Sequence, residues 1–413
     1  MIKEIPYIES LPSDWNVIPN RYLFYYDGKK VGDEHAQYQL LSLTTAGVKK
    51  RNINATGGKV PTSYDNYQTV KKGQMVFCLF DLDCSAVFSG ISEYDGMITS
   101  AYDVFSTSDK MDTRYADYWF KYVFSNRYYK MYSKNIRYTI TGDMFRALKT
   151  PVPPLEVQKQ ISSLLRNQEQ KIDNLIANVQ AQIEKLKAYK QSLITEVVTK
   201  GLDPNAPMKD SGVEWIGKIP AHWSILRFKN IADIKSNLVN PKDYMDCFQV
   251  SPENIEKGSG KLLTCITVRE IGVESNNHLF HKGQIIYSKV RPLLNKVAIA
   301  PFDGLCSADM YPVEAKINKK FLVYSMLSDS FLNQVKLVTE NRVKMPKINQ
   351  EELSKIKVCC PEDSEQKRIA DYLDAKCSQI DRLISLKESK IEKLQQYKRS
   401  LIYEYVTGKK EVV

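Results

Sequence analysis

Three short strings in this chain approach catalytic motifs, and each lacks a residue its chemistry requires. GSGK at residues 258–261 has the end of a phosphate-binding loop, but the glycine needed five positions before Gly260 is Ile255, and Leu262 stands where a magnesium-holding Ser or Thr belongs. The string reads as a turn. His278 and His281 have no Cys or acidic companion at ligand spacing, so they cannot complete a zinc tetrahedron by themselves. Glu365 and Lys367 in PEDSEQK faintly resemble the acid-x-lysine of a metal nuclease. The segment opens a helix, however, where acids favour the positive end of the dipole, and 208 positions earlier the corresponding residues are Val157 and Lys159. No Asn-Pro-Pro-aromatic or Asp-Pro-Pro-aromatic tetrapeptide is present to hold a flipped base, and no glycine-rich nucleotide fingerprint follows a strand. The expectation is a chain with no catalytic residues, no metal ligands and no cofactor of its own.

Binding chemistry is better represented. GVKKRNINATGGK (residues 47–59) gathers Lys49, Lys50, Arg51, Asn52 and Asn54 in one loop, and SNRYYKMYSKNIRYT (residues 125–139) interleaves Arg127, Lys130, Lys134 and Arg137 with tyrosines. In the second half, YSKVRPLLNKV (residues 287–297) carries Lys289, Arg291, Asn295 and Lys296, and ENRVKMPK (residues 340–347) carries Asn341, Arg342, Lys344 and Lys347. Lys, Arg and Asn grip phosphates and read purine edges in the major groove. Any one of these loops could be an ordinary solvated surface. Their recurrence in both halves favours double-stranded DNA, with Arg51, Arg137, Arg291 and Arg342 as the leading contacts.

The elements that must position these loops are two long helices. Residues 153–201 place Ile161, Leu165, Ile172, Leu175, Val179, Ile183, Leu186, Leu193 and Val197 mostly three or four apart, with Gln, Lys and Glu on the other faces. That is an apolar seam requiring a partner helix, and the partner lies 208 residues on. IEKLKAYKQSLITEVVT (residues 183–199) matches IEKLQQYKRSLIYEYVT (residues 391–407), Ile161 meets Ile369, Leu165 meets Leu373, and Ile172-Asp173 meets Ile380-Asp381 without a gap. The same offset carries Pro12 and Trp15 onto Pro220 and Trp223, and Ile140 onto Ile348. Between these anchors lie short alternating stretches at residues 37–44, 74–80, 85–91 and 100–106, which predict strands, and helical stretches at residues 116–133 and 321–336. A period this long marks tandem domains, since solenoid repeats are far shorter. The predicted order is a domain over residues 1–152, a helix over 153–201, a linker over 202–222, a second domain over 223–360 and a second helix over 361–413. Gly201 should stop the first helix, with Pro204 and Pro207 preventing its continuation. The fold class is α+β, with two mixed α/β domains separated by two long helices that pair as an antiparallel coiled coil in a pseudo-twofold repeat.

Composition agrees. The 413 residues carry a net charge of +11, and the excess sits in both domains: +5 over residues 15–150 and +6 over residues 221–358. A basic balance fits a polyanion partner. The eight cysteines form no CxxC pair and most lie in apolar runs, so buried free thiols are expected. With no apolar run of about eighteen residues and no signal-peptide pattern at the N-terminus, the expectation is a soluble cytoplasmic protein without a membrane partner.

KDSGVEWIGKIPAHW (residues 209–223), PPLEVQKQI (residues 153–161) and GQIIYSKVRPLLNKVAIAPFDGLCSADMYPV (residues 283–313) resemble, in string and in order, the specificity subunit of type I restriction-modification systems. The resemblance implies two target recognition domains, each reading half of a bipartite, asymmetric DNA site. It also implies two methyltransferase subunits that bind S-adenosylmethionine and methylate adenine N6, and motor-nuclease subunits for restriction. About 45 helical residues at about 1.5 Å each would form a spacer of about 68 Å. The competing reading is a coiled-coil scaffold without DNA specificity of its own.

Overall fold

Two helices, Leu155–Lys200 and Asp363–Val406, dominate the structure, a computed structural model that describes residues 5–51, 63–133, 137–340, 342 and 346–412. The chain forms two compact units, Met1–Asn178 with Ser389–Val413 and Val179–Glu388, and each contains part of both helices. A division into domain, helix, domain, helix therefore follows the order of the chain but not the partition of its cores.

In the first unit Ile161, Leu165 and Ile172 share a core with Leu401, Ile402, Tyr405 and Val406; in the second, Ile369, Leu373 and Ile380 share one with Leu193, Ile194, Val197 and Val198. Every residue of one set lies 208 positions from its counterpart in the other. Ion pairs repeat the register: Lys398 reaches Asp173 at 3.0 Å in the first unit and Lys190 reaches Asp381 at 2.7 Å in the second. Both pairs join the start of one helix to the end of the other, as antiparallel packing requires. One expected seam position is not in a seam, since Leu175 is 48% exposed, as is Leu383, its counterpart.

The helix ends repeat as well. Gly201 and Gly408 turn left-handed, with φ of 78° and 69°, and a Cβ on them would press against Trp223 and against Pro12 with Trp15, respectively. At the opposite ends a buried glutamine clamps each helix to its domain. Gln158 accepts from the Asp112 amide at 2.8 Å and donates to the Pro153 carbonyl at 2.8 Å; Gln366 accepts from the Asn318 amide at 2.9 Å and donates to the Pro361 carbonyl at 2.8 Å. Asp112 and Asn318 are the N-caps of the domain helices Thr113–Ser125 and Lys319–Leu327.

Each domain is built on a four-stranded antiparallel sheet with one strand order. In the first unit the order is Phe24–Tyr26, Asp103–Thr107, Met75–Phe77 and Ser89–Ile91; in the second it is Ala232–Ile234, Met310–Ala315, Ile285–Ser288 and Val297–Ile299. The strand pair Asn16–Pro19 with Lys149–Val152 closes the first domain, and Ser224–Arg227 with Lys357–Cys360 closes the second. The domains diverge in their second sheets. The first has the hairpin Leu41–Thr44 with Gly47–Lys50 and a separate pair, whereas the second has a five-stranded sheet containing one parallel pairing.

The helical stretches are more broken than their apolar pattern suggests. The first ends at Ser125, where Arg127 turns left-handed at φ 56°, and Tyr128–Met131 continues only as a 3-10 turn. The second is interrupted at Ser328, which is extended and caps a separate helix, Asp329–Thr339. All eight cysteines are free; Cys78, Cys306, Cys359 and Cys377 are buried, but Cys84 lies exposed on a polar turn, contrary to the expectation of burial.

Replacing Gln158 or Gln366 with Ala should cost about 1–3 kcal/mol each, because a buried amide and carbonyls lose their partner. Equilibrium denaturation of each variant reads this, and equal losses for the two would show that the clamps are equivalent. A pH effect follows from Asp381. Burial raises its carboxyl pKa, but hydrogen bonds from Lys190 and Lys261 outweigh burial and hold it below the ordinary value. Its contribution is complete above the unfolded aspartate value of about 3.9 and is lost as pH falls through the lower folded value. The variant D381N should remove part of the acid-side fall in melting temperature.

Candidate nucleic-acid interface

Of the loops nominated from sequence, one follows a strand of the repeated sheet, one lies on the hairpin strand Gly47–Lys50 and two follow domain helices, and the structure sorts them by what their side chains already do. After the central strand of the first unit, Asp81 opens a turn at φ 48°, and the Leu82 amide donates to the Arg137 carbonyl at 3.2 Å. This brings residues 81–85 beside the segment carrying Arg127, Lys130 and Arg137. Arg127 lies 3.8 Å from Asp83 and Arg137 lies 3.7 Å from Asp81, with their side chains 66% and 79% exposed. Lys130 is more committed, bonded to Asp83 at 2.9 Å and seated 4.5 Å from the Tyr138 ring centre. Its hydrogen bond holds the Asp83 carboxyl below the usual range. Lys49 and Lys50 stand exposed on the hairpin strand Gly47–Lys50, with Lys50 over the Tyr94 ring at 4.8 Å. Arg51 is half-buried and its amide donates to the Leu40 carbonyl. Asn52, Asn54, Lys134 and Lys344 lie outside the described residues.

In the second unit the equivalent turn begins at Arg291, with φ of 44°, and ends at Asn295, with φ of 47°. Arg291 is exposed, and among the described residues no carboxylate pairs with it. Lys289 lies 5.2 Å from the Tyr311 ring centre. Lys296 is half-buried and donates to the Pro252 carbonyl at 2.6 Å, and Arg342 is bonded to the Glu352 carboxylate and the Lys347 carbonyl. These two are partly consumed by the fold.

Asn295 needs correction as a DNA contact. It is 3% exposed, and its amide nitrogen donates to the Met326 carbonyl at 3.0 Å. A side chain held under the turn in this way cannot reach a base; it shapes the turn instead. Sequence offers a partial signal for this, because Asn tolerates a left-handed backbone better than most residues.

The strings that approached catalytic motifs have structural employment. Lys261 of GSGK bonds to Asp381 at 2.7 Å, tying the loop to the helix. His278 is buried in a strand, where burial depresses its pKa, and His281 is exposed, 3.7 Å from Asp303. Glu365 accepts from the Trp223 indole at 3.0 Å and contacts the His222 ring at 3.0 Å, so it anchors the tryptophan clamp. Among the described residues no group of three or more His, Cys, Asp or Glu side chains could hold a metal ion, and no helix is long and apolar enough to cross a membrane.

Sequence reading missed the clamps. Gln158 and Gln366 are identical at the repeat offset while Val157 and Glu365 beside them differ, and Lys190 and Lys398 share that offset with Asp173 and Asp381. Identity retained at the offset was the available signal.

Comparison with known proteins locates this architecture. The Type I restriction modification DNA specificity domain matches residues 220–396. The chain is 39% identical to the type I restriction enzyme EcoDI specificity subunit of Escherichia coli over 48% of this chain and 50% of that protein. It is 29% identical to the MjaVIII specificity subunit of Methanocaldococcus jannaschii over 64% of this chain and 63% of that one. The matched span thus covers between half and two thirds of these curated relatives. Two solved structures share the fold at 13% identity. A chain from a study of complex assembly and conformational transition in the type I R-M system has a TM-score of 0.73, with 97% of this chain and 99% of that chain covered. The HsdS subunit from Thermoanaerobacter tengcongensis has a TM-score of 0.53, with 98% and 99% covered. Residues 220–396 thus match the DNA specificity domain of type I restriction-modification systems, and the chain as a whole shares its fold with the two solved structures.

Proposed function

We propose that this chain is the DNA-reading subunit of a type I restriction-modification complex. Its two domains each read one half of a bipartite site, and it directs adenine-N6 methylation, and restriction, by partner subunits. The observation that carries this reading is one scaffold used twice with different binding loops. The sheet order, glutamine clamps and Lys–Asp pairs repeat, whereas the second sheets and the turns that present Arg127, Arg137 and Arg291 differ. Divergent readers on equivalent scaffolds give an asymmetric target.

Chemistry belongs to the partners on this reading. Two methyltransferase subunits supply S-adenosylmethionine and motor-nuclease subunits supply cleavage, while this chain contributes binding and orientation in the cytoplasm. The helices offer each methyltransferase a similar exposed apolar patch. Leu175 and Tyr397 in the first unit are 48% and 53% exposed, and Leu383 and Tyr189 in the second are 48% and 58% exposed. In both units the Leu and Tyr occupy opposite positions in the Lys–Asp register, and exposed apolar groups that recur in this way fit a docking surface.

Two outcomes are expected. Affinity of the assembled complex for duplex DNA should fall steeply and log-linearly with salt, through phosphate contacts by the basic loops. A complex that forms but shows no salt-dependent DNA binding would instead favour the scaffold reading. The variants Y189A and Y397A should each leave one methyltransferase bound, and the double variant none, as counted by native mass spectrometry. Full occupancy in the double variant would remove these tyrosines from the docking surface.

A further inference from the structure

The turn after each central strand begins alike in both units and carries opposite charge at its first residue. The Asp81 carbonyl accepts from the Cys84 amide at 2.9 Å, and the Arg291 carbonyl accepts from the Leu294 amide at 2.9 Å. Asp81 and Arg291 adopt the left-handed backbone at φ 48° and 44°, which is costly for residues other than glycine and persists only where the surroundings enforce it. Each turn is tied to the segment leading into the next helix, by Leu82 to the Arg137 carbonyl in one unit and by Arg291 to the Pro346 carbonyl in the other.

Each turn thus has a guanidinium beside its first position, reached by different routes. In the second unit it is the turn's own Arg291. In the first it is Arg137, whose Nε lies 3.7 Å from the Asp81 carboxylate and whose side chain is 79% exposed. Half-sites differ in their bases but share one phosphate backbone. A cation kept beside the turn while its source in the chain changes therefore fits the shared part of the ligand, and the planar guanidinium fork suits two oxygens of one phosphate.

We propose that Arg291 and Arg137 are equivalent phosphate-gripping residues that set each domain's register on the duplex, and that Asn295 is the positioning residue for Arg291; this rests on the DNA-reading function above. Asn295 secures the far end of the turn at three points. Its side chain donates to the Met326 carbonyl at 3.0 Å, its amide donates to the Pro292 carbonyl at 2.9 Å, and its carbonyl accepts from the Gly258 amide at 3.1 Å. With both ends left-handed and Pro292 between them, the turn leaves Arg291 little backbone freedom.

The test is a salt titration of the full chain, alone and assembled with its methyltransferase, on fluorescent duplexes of random sequence, followed by sequencing of the bound fraction. R291A and R137A should each lower the slope of log affinity against log salt by about one and leave the bound sequences unchanged. N295A should reproduce R291A and add nothing in the R291A background, with folding followed by circular dichroism. If N295A does not fold, N295G, which accepts the left-handed backbone, carries the same cycle. An unchanged slope with relaxed preference at one base would make Arg291 a base reader and overturn the proposal. Additive losses for Arg291 and Asn295 would reduce Asn295 to a merely structural role. If the wild type binds with normal salt dependence and R291A and R137A match it, only this inference fails; if the wild type shows no salt-dependent binding, the DNA-reading function itself fails.

Discussion

Each core in this protein is completed by the far end of the other long helix. Leu401, Ile402, Tyr405 and Val406 belong to the core of the first unit, and Leu193, Ile194, Val197 and Val198 to that of the second. The first unit is assembled from two separate stretches of the chain, and the second from one that runs from within the first long helix to within the second. Burying these side chains is worth about 1.5–3 kcal/mol apiece, so antiparallel pairing of the helices is part of what makes either domain stable. The reciprocal Lys–Asp pairs contribute less energy than this, but they favour one register, because sliding a helix by a turn would separate both.

That constraint divides the molecule into what repeats and what varies. The glutamine clamps join each helix start to the N-cap of a domain helix, and the left-handed glycines let each helix end close against a proline or tryptophan. These contacts fix how a domain is attached and leave its outer loops free to change. The second sheets differ between domains, as does the residue that opens the turn after the central strand, Asp81 in one unit and Arg291 in the other. A rigid attachment carrying variable loops suits the proposed function, in which two sites read different bases on a common backbone.

The helices were legible because their periodicity is long and their offset is unbroken, and the sheet strands because β-branched and aromatic runs alternate between turn residues. Local breaks were harder to see. Arg127 and Ser328 interrupt helical patterns through backbone geometry and capping, which a hydrophobic period does not record. The binding loops were readable as charge but not as availability: Asn295 is consumed by Met326, Lys296 by Pro252 and Arg342 by Glu352, all partners distant or displaced in sequence. Leu175 fits the seam in sequence yet stands exposed, and on the proposed function that face is offered to a methyltransferase subunit.

The most direct test of the central claim is single-molecule sequencing of genomic DNA, with the gene present and deleted, scoring N6-methyladenine by sequence context. A bipartite, asymmetric motif methylated only when the gene is present is the predicted result. With active methyltransferase subunits in the same cells, a methylation pattern that is unchanged by deletion would contradict the assignment of this chain as the subunit that chooses the site.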